Sequence, residues 1–441
     1  MTEKKTEKKA ETKYKKRTIK VDYLARVEGE GALYIHSENG LVQDVKLKIF
    51  EPPRFFEAFL KGRGFGEAPD ITARICGICP VAYQMSAVHA IEAAFGFSAS
   101  PQLKNLRRLL YCGEWIESHV LHVYMLHAPD FLQAQDAIEM TKKNPALLKR
   151  GLEMKKIGNE IVRRVGGREI HPINVKVGGF YKWPEKAKLR ELLDPLKIAL
   201  ENSYKTLEWL NTFEYPQLER NYTFVSLKDA TEYPMNLGNI VSSEGLNISP
   251  DDYEKHFEEI HIEHSNALHS ILKGTGEYLV GPMARFHNAF DQLSPLIKKM
   301  ASEFHIPRGI SNPFKSILIR CLEVAYAYEE AIRIISEYEE IQDSQSLKIK
   351  AASGCAATEA PRGMLYHRYQ IDEKGLIQFS KIVPPTSQNQ MTIESDIRDL
   401  VLKNQKLSNE KLQWLCEQGV RNYDPCISCA THFLRIERSG T

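Results

Sequence analysis

Two Cys-x-x-Cys pairs are the residues of this sequence best suited to metal or redox chemistry. Thiolates two positions apart can face one ion, and four of them make a soft site suited to zinc, nickel or an iron-sulfur cluster. From spacing alone, structural zinc is the first hypothesis, and a dithiol redox site or an iron-sulfur cluster follows. The motifs are Arg74-Ile-Cys76-Gly-Ile-Cys79 and Asp424-Pro-Cys426-Ile-Ser-Cys429-Ala-Thr-His432.

Two features of these pairs argue against structural zinc. Cys79 and Cys426 lie 347 positions apart, whereas zinc knuckles usually join their pairs over roughly 15 to 20 residues. His432 follows the second pair and supplies one donor more than a closed tetrahedral site needs. The pairs therefore require the whole fold to bring them together.

The two motifs resemble the signature boxes of the [NiFe] hydrogenase large subunit. The resemblance extends from about Thr18 to His432. It implies one nickel-iron centre, whose iron carries one carbon monoxide and two cyanides. It further implies that the first cysteine of each pair is a terminal nickel ligand and the second bridges the metals; the terminal pair is Cys76 and Cys426, and the bridging pair is Cys79 and Cys429.

Further motifs agree with this resemblance and imply roles around the metals. Glu28, in Arg-Val-Glu-Gly, is similar to the glutamate that receives a proton from the terminal thiolate of Cys426. Arg362, in Glu-Ala-Pro-Arg-Gly, resembles the arginine that stabilises charge at the open metal position. Pro385 and Thr386 are similar to residues that contact a cyanide ligand, with Thr386 donating its hydroxyl.

The resemblance also implies a second, hard metal site and a partner-facing histidine. Glu57, the backbone carbonyl of Ile382 and His432 match ligands of a magnesium or second iron ion near the C-terminus. His171 lies in a box that faces the small subunit in the family, although a structural role for it is nearly as good an explanation.

Three positions depart from the usual pattern. Tyr83 stands where a histidine usually donates to a bridging thiolate, and Glu30 replaces a histidine after the N-terminal box. Ser118 replaces an aspartate that often pairs with the arginine, so we expect Arg362 to rely on Asp424. These departures resemble the cytosolic NAD(P)-linked and sulfhydrogenase alpha-subunit branch.

The composition sets limits on other functions. The chain has 441 residues, with 59 basic against 57 acidic side chains and a formal charge of +2, so bulk charge does not favour nucleic acid or a membrane surface. No apolar run suits a signal peptide or a spanning helix, and we expect a cytoplasmic protein. Eight cysteines are too sparse for a disulfide scaffold.

The hydrophobic pattern predicts the elements that position these residues. Alternation predicts hairpins around Asn39-Gly40 and around Glu373-Lys374-Gly375. Helical spacing predicts helices over 81–95, 103–126, 147–165, 189–213, 296–304 and 317–341, with closing helices near Asp396 and Lys411. The predicted class is α+β and predominantly helical, with a long-helix core and small peripheral antiparallel sheets, as in the [NiFe] hydrogenase large subunit.

We predict three segments: a disordered charged tail at 1–17, a single domain at 18–432, and an extension at 433–441 that a maturation endopeptidase removes after His432.

The resemblance implies reversible heterolytic cleavage of H2. The remaining cysteines are dispersed, so an iron-sulfur small subunit is an obligate partner, and flavin/NAD(P) diaphorase subunits are expected to carry electrons to a soluble acceptor. The alternative is a metal-free or zinc-bound structural subunit of a complex I-like assembly.

Overall fold

The computed structural model describes residues 16–52, 54–340 and 347–431. His432 and the extension at 433–441 lie outside the described residues, as does the predicted tail up to residue 15.

The first sheet is antiparallel and contains the predicted N-terminal hairpin. Its strands are β1 (Arg17–Val21), β2 (Gly31–Glu38) and β3 (Leu41–Ile49), in that order. Asn39 and Gly40 have φ values of 53° and 78°, and a tight hairpin turn of this hand needs positive φ at both central positions. The predicted tail includes Arg17, but this residue begins β1 and its guanidinium donates to the carbonyl of Leu407 at 2.9 Å.

Most of the predicted helices are present with shifted ends. The long region 189–213 is two helices, and the region 103–126 ends in a π-helical turn, His122–His127. The helices are α1 (Phe56–Leu60), α2 (Ala68–Thr72), α3 (Pro80–Phe95), α4 (Pro101–Leu121), α5 (Ala128–Phe131), α6 (Ala137–Lys143), α7 (Pro145–Gly166), α8 (Lys186–Arg190), α9 (Leu193–Leu210), α10 (Tyr253–His256), α11 (Pro282–Asn288), α12 (Pro295–Glu303), α13 (Ser316–Glu337), α14 (Pro385–Lys403), α15 (Asn409–Arg421) and α16 (Ile427–Ala430).

The long helices α4, α7, α9 and α13 pack against one another and form the centre of the core. Helices α4 and α7 meet at Gly113 and Gly158, where a Cβ on Gly158 would lie 2.7 Å from the carbonyl oxygen of Gly113. Only glycine allows two helix backbones to approach this closely. Among the described residues, no helix is both long and apolar enough to cross a lipid bilayer.

The remaining sheets are small, antiparallel and arranged around these helices, which confirms the predicted class. The predicted second hairpin is present, and a further strand, Ala352–Ala360, which the hydrophobic pattern did not predict, pairs with it. The strands are β4 (Val175–Lys176), β5 (Gly179–Phe180), β6 (Val225–Lys228), β7 (Asn239–Ser242), β8 (Asn247–Ile248), β9 (Phe257–Ile260), β10 (His269–Leu272), β11 (Ala352–Ala360), β12 (Gly363–Ile371) and β13 (Ile377–Val383).

Candidate metal centre

The four cysteines of the two pairs meet in one buried cluster. Their sulfur atoms all lie within 4.8 Å of one another, and each residue is at most 3% exposed. The sulfur of Cys76 lies 2.9 Å from that of Cys79 and 3.5 Å from that of Cys426. None of these four cysteines forms a disulfide bond. Four soft donors around one point suit a thiophilic metal.

Each pair lies at the start of a helix. Cys79 immediately precedes α3, and Cys426 immediately precedes α16, which contains Cys429. The buried carboxylate of Glu114 on α4 accepts hydrogen bonds from the backbone of Val81, at 2.6 Å, and from Ala82. It thereby satisfies otherwise free donors in the first turn of α3. The core helix α4 thus holds the first pair in place.

Arg54 joins the two cysteine segments directly. Its guanidinium donates to the carbonyl of Ile75, at 2.5 Å, and to the carbonyl of Ser428. These acceptors adjoin Cys76 and Cys429 in the sequence. Sequence reasoning missed this role, because an arginine in an irregular segment carries no periodic or motif signal.

The thiols cannot all ionise without a cation. Burial is the main cause that raises the pKa of Cys426 and of Cys429 well above the ordinary value. Hydrogen bonds to Cys426 and Cys76 raise the pKa of Cys79. Burial also acts to raise the pKa of Cys76, but hydrogen bonds from the neighbouring thiols outweigh it and lower that pKa. A bound metal ion would supply the positive charge that the cluster needs as thiolates.

Glu28 contacts the second cysteine pair from the N-terminal box. Its Oε2 accepts from the thiol of Cys426 at 3.0 Å and from the backbone of Ser428 at 3.1 Å. Its carbonyl accepts from the backbone of Ile427 at 2.9 Å. The next residue, Gly29, has a φ of 86°, and a Cβ there would lie 2.8 Å from the nitrogen of Ser428. The glycine therefore allows the carboxylate box to lie against the cysteine segment.

Arg362 and Asp424 form a buried ion pair beside the thiols. Arg362 lies in the turn between β11 and β12, and its Nε donates to the Asp424 carbonyl at 2.7 Å and lies 3.1 Å from Asp424 Oδ2. Burial acts to lower the pKa of Arg362, but Asp424 and the cysteines raise it above its ordinary value. Its Nη1 is buried and has no hydrogen-bond partner among the described residues.

Of the other residues predicted around the metals, Thr386 contacts the cysteine segment, whereas Ser118 has no described contact with it. Tyr83 is fully buried on α3, and its hydroxyl has no partner among the described residues; burial, and then the charge of Cys429, raises its pKa. Thr386 Oγ1 accepts from the backbone of Cys426 at 3.0 Å, and Pro385 precedes it at the start of α14. Ser118 is buried on α4, and no described contact joins it to the cysteines.

Two of the three predicted hard-metal ligands lie together. Glu57 Oε1 accepts from the backbone nitrogen of Ile382 at 2.7 Å. Burial raises the pKa of Glu57 to about 8, and the carboxylate of Glu259 on β9 adds to this rise. Sequence reasoning missed Glu259. Carboxylates suit a divalent cation, although the ammonium of Lys381 lies 3.6 Å from Glu259. The third predicted ligand, His432, lies outside the described residues.

His171 contacts the segment that leads to the first cysteine pair. Its Nδ1 lies 2.7 Å from the carbonyl of Ala73, and its own carbonyl accepts from Arg168 at 2.7 Å. Burial lowers the pKa of His171, so a neutral ring that donates to Ala73 accounts for its position.

Comparison with known proteins assigns the family. The sequence profile described as nickel-dependent hydrogenase matches residues 54–169 and 278–432, more than half of the chain. The chain belongs to the nickel-dependent hydrogenase family. The sulfhydrogenase 1 subunit alpha of Pyrococcus furiosus is 34% identical, over 95% of this chain and 98% of that protein. The NAD-reducing hydrogenase HoxS subunit beta of Cupriavidus necator is 27% identical, over 95% of this chain and 95% of that protein.

Solved structures of other hydrogenases share the fold. An NAD+-reducing [NiFe]-hydrogenase in its H2-reduced state superposes with a TM-score of 0.83, at 26% identity, over 94% of this chain and 99% of that one. The [NiFeSe] hydrogenase of Desulfovibrio vulgaris Hildenborough reaches 0.76 at 22% identity, over 95% and 100% of the two chains. The protein is thus a hydrogenase large subunit and an oxidoreductase. The buried cluster of four thiols, with an unpartnered Arg362 Nη1 beside it, suits the nickel-iron centre of that family.

Replacing Cys79 by serine tests the cluster as the metal site. A hydroxyl is a harder and less acidic donor than a thiol, so we expect nickel per chain to fall at least tenfold, measured by plasma mass spectrometry of the purified complex. The control is Cys112→Ser, which removes a buried thiol on α4 outside the cluster. Equal nickel contents in the two variants would contradict the assignment.

Proposed function

We propose that this hydrogenase cleaves H2 reversibly and heterolytically, and that its electrons pass through an iron-sulfur small subunit to a soluble acceptor, NAD(P). The observation that carries the heterolytic step is the carboxylate of Glu28 at 3.0 Å from the thiol of Cys426. Heterolysis needs a base at the metal site, and this pair offers one at a single defined contact.

The nickel-iron centre would be held by the four cysteines. We propose Cys76 and Cys426 as terminal nickel ligands and Cys79 and Cys429 as bridging ligands, with one carbon monoxide and two cyanides on the iron. When bound, this group supplies the soft, redox-active site that polarises H2 and accepts its electrons.

A second ion, magnesium or iron, would be held by Glu57, the carbonyl of Ile382 and His432. The contact between Glu57 and Ile382 and the nearby charge of Glu259 support this site. Quantifying magnesium and iron alongside nickel tests it.

The proton route begins at Cys426 and continues to Glu28. From there, Ser428 provides the next contacts: its backbone nitrogen donates to Glu28, and its hydroxyl donates to Glu51 at 2.8 Å. Glu51 is partly exposed. Because a backbone amide does not relay protons, the proton would pass from Glu28 to Glu51 through the Ser428 hydroxyl or a water beside it, and from Glu51 to solvent.

Replacing Glu28 by glutamine should lower H2 oxidation roughly 100-fold or more, because a positioned general base contributes about 10²- to 10⁴-fold. Nickel and iron contents should not change, since Glu28 is not a metal ligand in the proposal. The matched control is Glu30→Gln, which removes an exposed carboxylate two positions away. Full activity of the Glu28 variant at normal metal content would refute this route.

Arg362 stabilises developing charge at the open side of the cluster. Asp424 holds its Nε side, which leaves the buried Nη1 as a donor toward the thiols or a metal ligand. A preorganised cation in a site without water acts more strongly than in solution. Thr386 accepts from the Cys426 backbone and keeps its hydroxyl hydrogen to donate to a cyanide ligand.

Arg362→Lys keeps the charge but loses the planar set of donors. We expect H2 oxidation to fall roughly 100-fold, the typical cost of one preorganised donor, with nickel retained. Hydrogen uptake should be assayed with an artificial acceptor, so that electron transfer between subunits does not mask the effect. Activity within a factor of two of the unmodified enzyme would rule out this role.

An iron-sulfur small subunit must carry electrons away from the buried centre. The other four cysteines, Cys112, Cys321, Cys355 and Cys416, are separate from one another in the sequence, and such clusters usually need four ligands in one place. The names of the relatives, an alpha subunit and a subunit of an NAD-reducing enzyme, support flavin/NAD(P) diaphorase partners. A cytoplasmic location stays a prediction.

Purified from its source under gentle conditions, the complex should reduce NAD+ or NADP+ with H2, followed by absorbance of the reduced nucleotide. The chain isolated from its partners should not, because its route for electrons is removed. Reduction of an artificial dye by the complete complex, without any reduction of either nucleotide, would overturn the proposed acceptor.

We also propose that a maturation endopeptidase cuts after His432 and removes 433–441. The family resemblance of the Cys426 motif supports this step. Intact-mass measurement of active, nickel-containing protein should give a chain that ends at His432. Active protein that ends at Thr441 would contradict the processing step.

A further inference from the structure

A second group of metal-ligating side chains converges away from the four cysteines. His264 lies between β9 and β10, His269 is the first residue of β10, and Glu394 is on α14. One ring nitrogen of each histidine and one carboxylate oxygen all lie within 4.8 Å of one another. We propose that these three residues bind one divalent transition-metal ion, Zn2+, at a site separate from the four cysteines.

The geometry of the three side chains suits a shared ion. His264 Nε2 lies 2.8 Å from Glu394 Oε1, and the two imidazole rings stand 6.0 Å apart between centroids at an angle of 83°. Glu394 Oε1 also accepts from the backbone of Leu47 on β3 at 2.7 Å. This bond orients the carboxylate in advance, as the outer contacts of metal ligands commonly do.

The buried polar atoms beside the cluster point to a missing ligand. His269 is 1% exposed, and its Nε2 has no well-aligned hydrogen bond among the described residues, although the side chain of Gln390 lies close to its ring. Gln390 lies one turn before Glu394 on α14 and is fully buried, and neither polar atom of its amide has a well-aligned hydrogen bond among those residues. Buried polar groups are almost always satisfied. An ion at His269, with a bound water that Gln390 contacts, would improve the partners of these atoms.

The chemistry of the donors selects the class of ion. Two imidazoles and one carboxylate form a mixed nitrogen and oxygen set that zinc binds with a water as its fourth ligand. His264 and Glu394 are partly exposed, which leaves a path for the ion and the water.

The ion would join three elements of the fold. Its ligands come from the start of β10, the segment before it, and α14, and Leu47 connects the site to β3. Helix α14 begins at Pro385 and carries Thr386, which bonds to the Cys426 backbone. The ion would therefore fix the position of α14, the helix that supports the cysteine cluster.

Zinc binding to the intact complex tests the proposal. After mild chelation that leaves nickel in place, equilibrium dialysis against Zn2+ alone should show one tight zinc per chain. His269→Gln and Glu394→Gln should each weaken this affinity at least tenfold. His261→Gln, which removes an exposed histidine from the same segment, should leave it unchanged. Equal affinity in all these proteins, or no tight zinc at all, would overturn the site.

X-ray absorption at the zinc edge of the unmodified complex gives a second test that does not depend on any variant folding. The site predicts imidazole and oxygen scatterers at about 2.0 to 2.2 Å. Sulfur scatterers at about 2.3 Å would show zinc on cysteines instead, and would overturn the proposal.

Discussion

The fold must bury four thiols from opposite ends of the chain at a single point. Cys79 and Cys426 are 347 positions apart, and any error in joining their segments would separate the ligands. Three sets of contacts position these segments: Arg54 bonds to both, the Glu28 backbone pairs with the residue after Cys426, and Glu114 secures the helix after Cys79. All three use groups whose loss would leave buried polar atoms unpaired.

Arg362, the cation beside the cluster, is also held in place by buried polar contacts. The turn that carries Arg362 is fixed by Arg285, whose guanidinium donates to the carbonyl of Pro361 at 2.9 Å and pairs with the buried carboxylates of Glu323 and Glu359. Removing one partner of a buried ion pair typically costs about 3 to 5 kcal/mol. The surrounding charges therefore fix the position of Arg362, which a single exposed ion pair could not do.

The sequence predicted the residues that carry chemistry better than those that position them. The hairpin at Asn39-Gly40 followed from turn chemistry, and the long helices followed from their periodicity. Strand β11 was missed, because it is buried and lacks alternation. Arg54, Glu114 and Arg285 were missed as well, because their partners are distant in sequence and only the folded chain brings them together.

Infrared spectroscopy of the purified complex, with nickel and iron quantified in the same sample, distinguishes a nickel-iron centre from a structural metal site. Cyanide and carbon monoxide bound to iron absorb in a region that the polypeptide leaves clear. A nickel-iron centre held by the four cysteines should give a pair of cyanide bands and a single carbonyl band, together with one nickel per chain. Zinc in the cysteine cluster without these bands would contradict it, and would make the four thiolates a structural site.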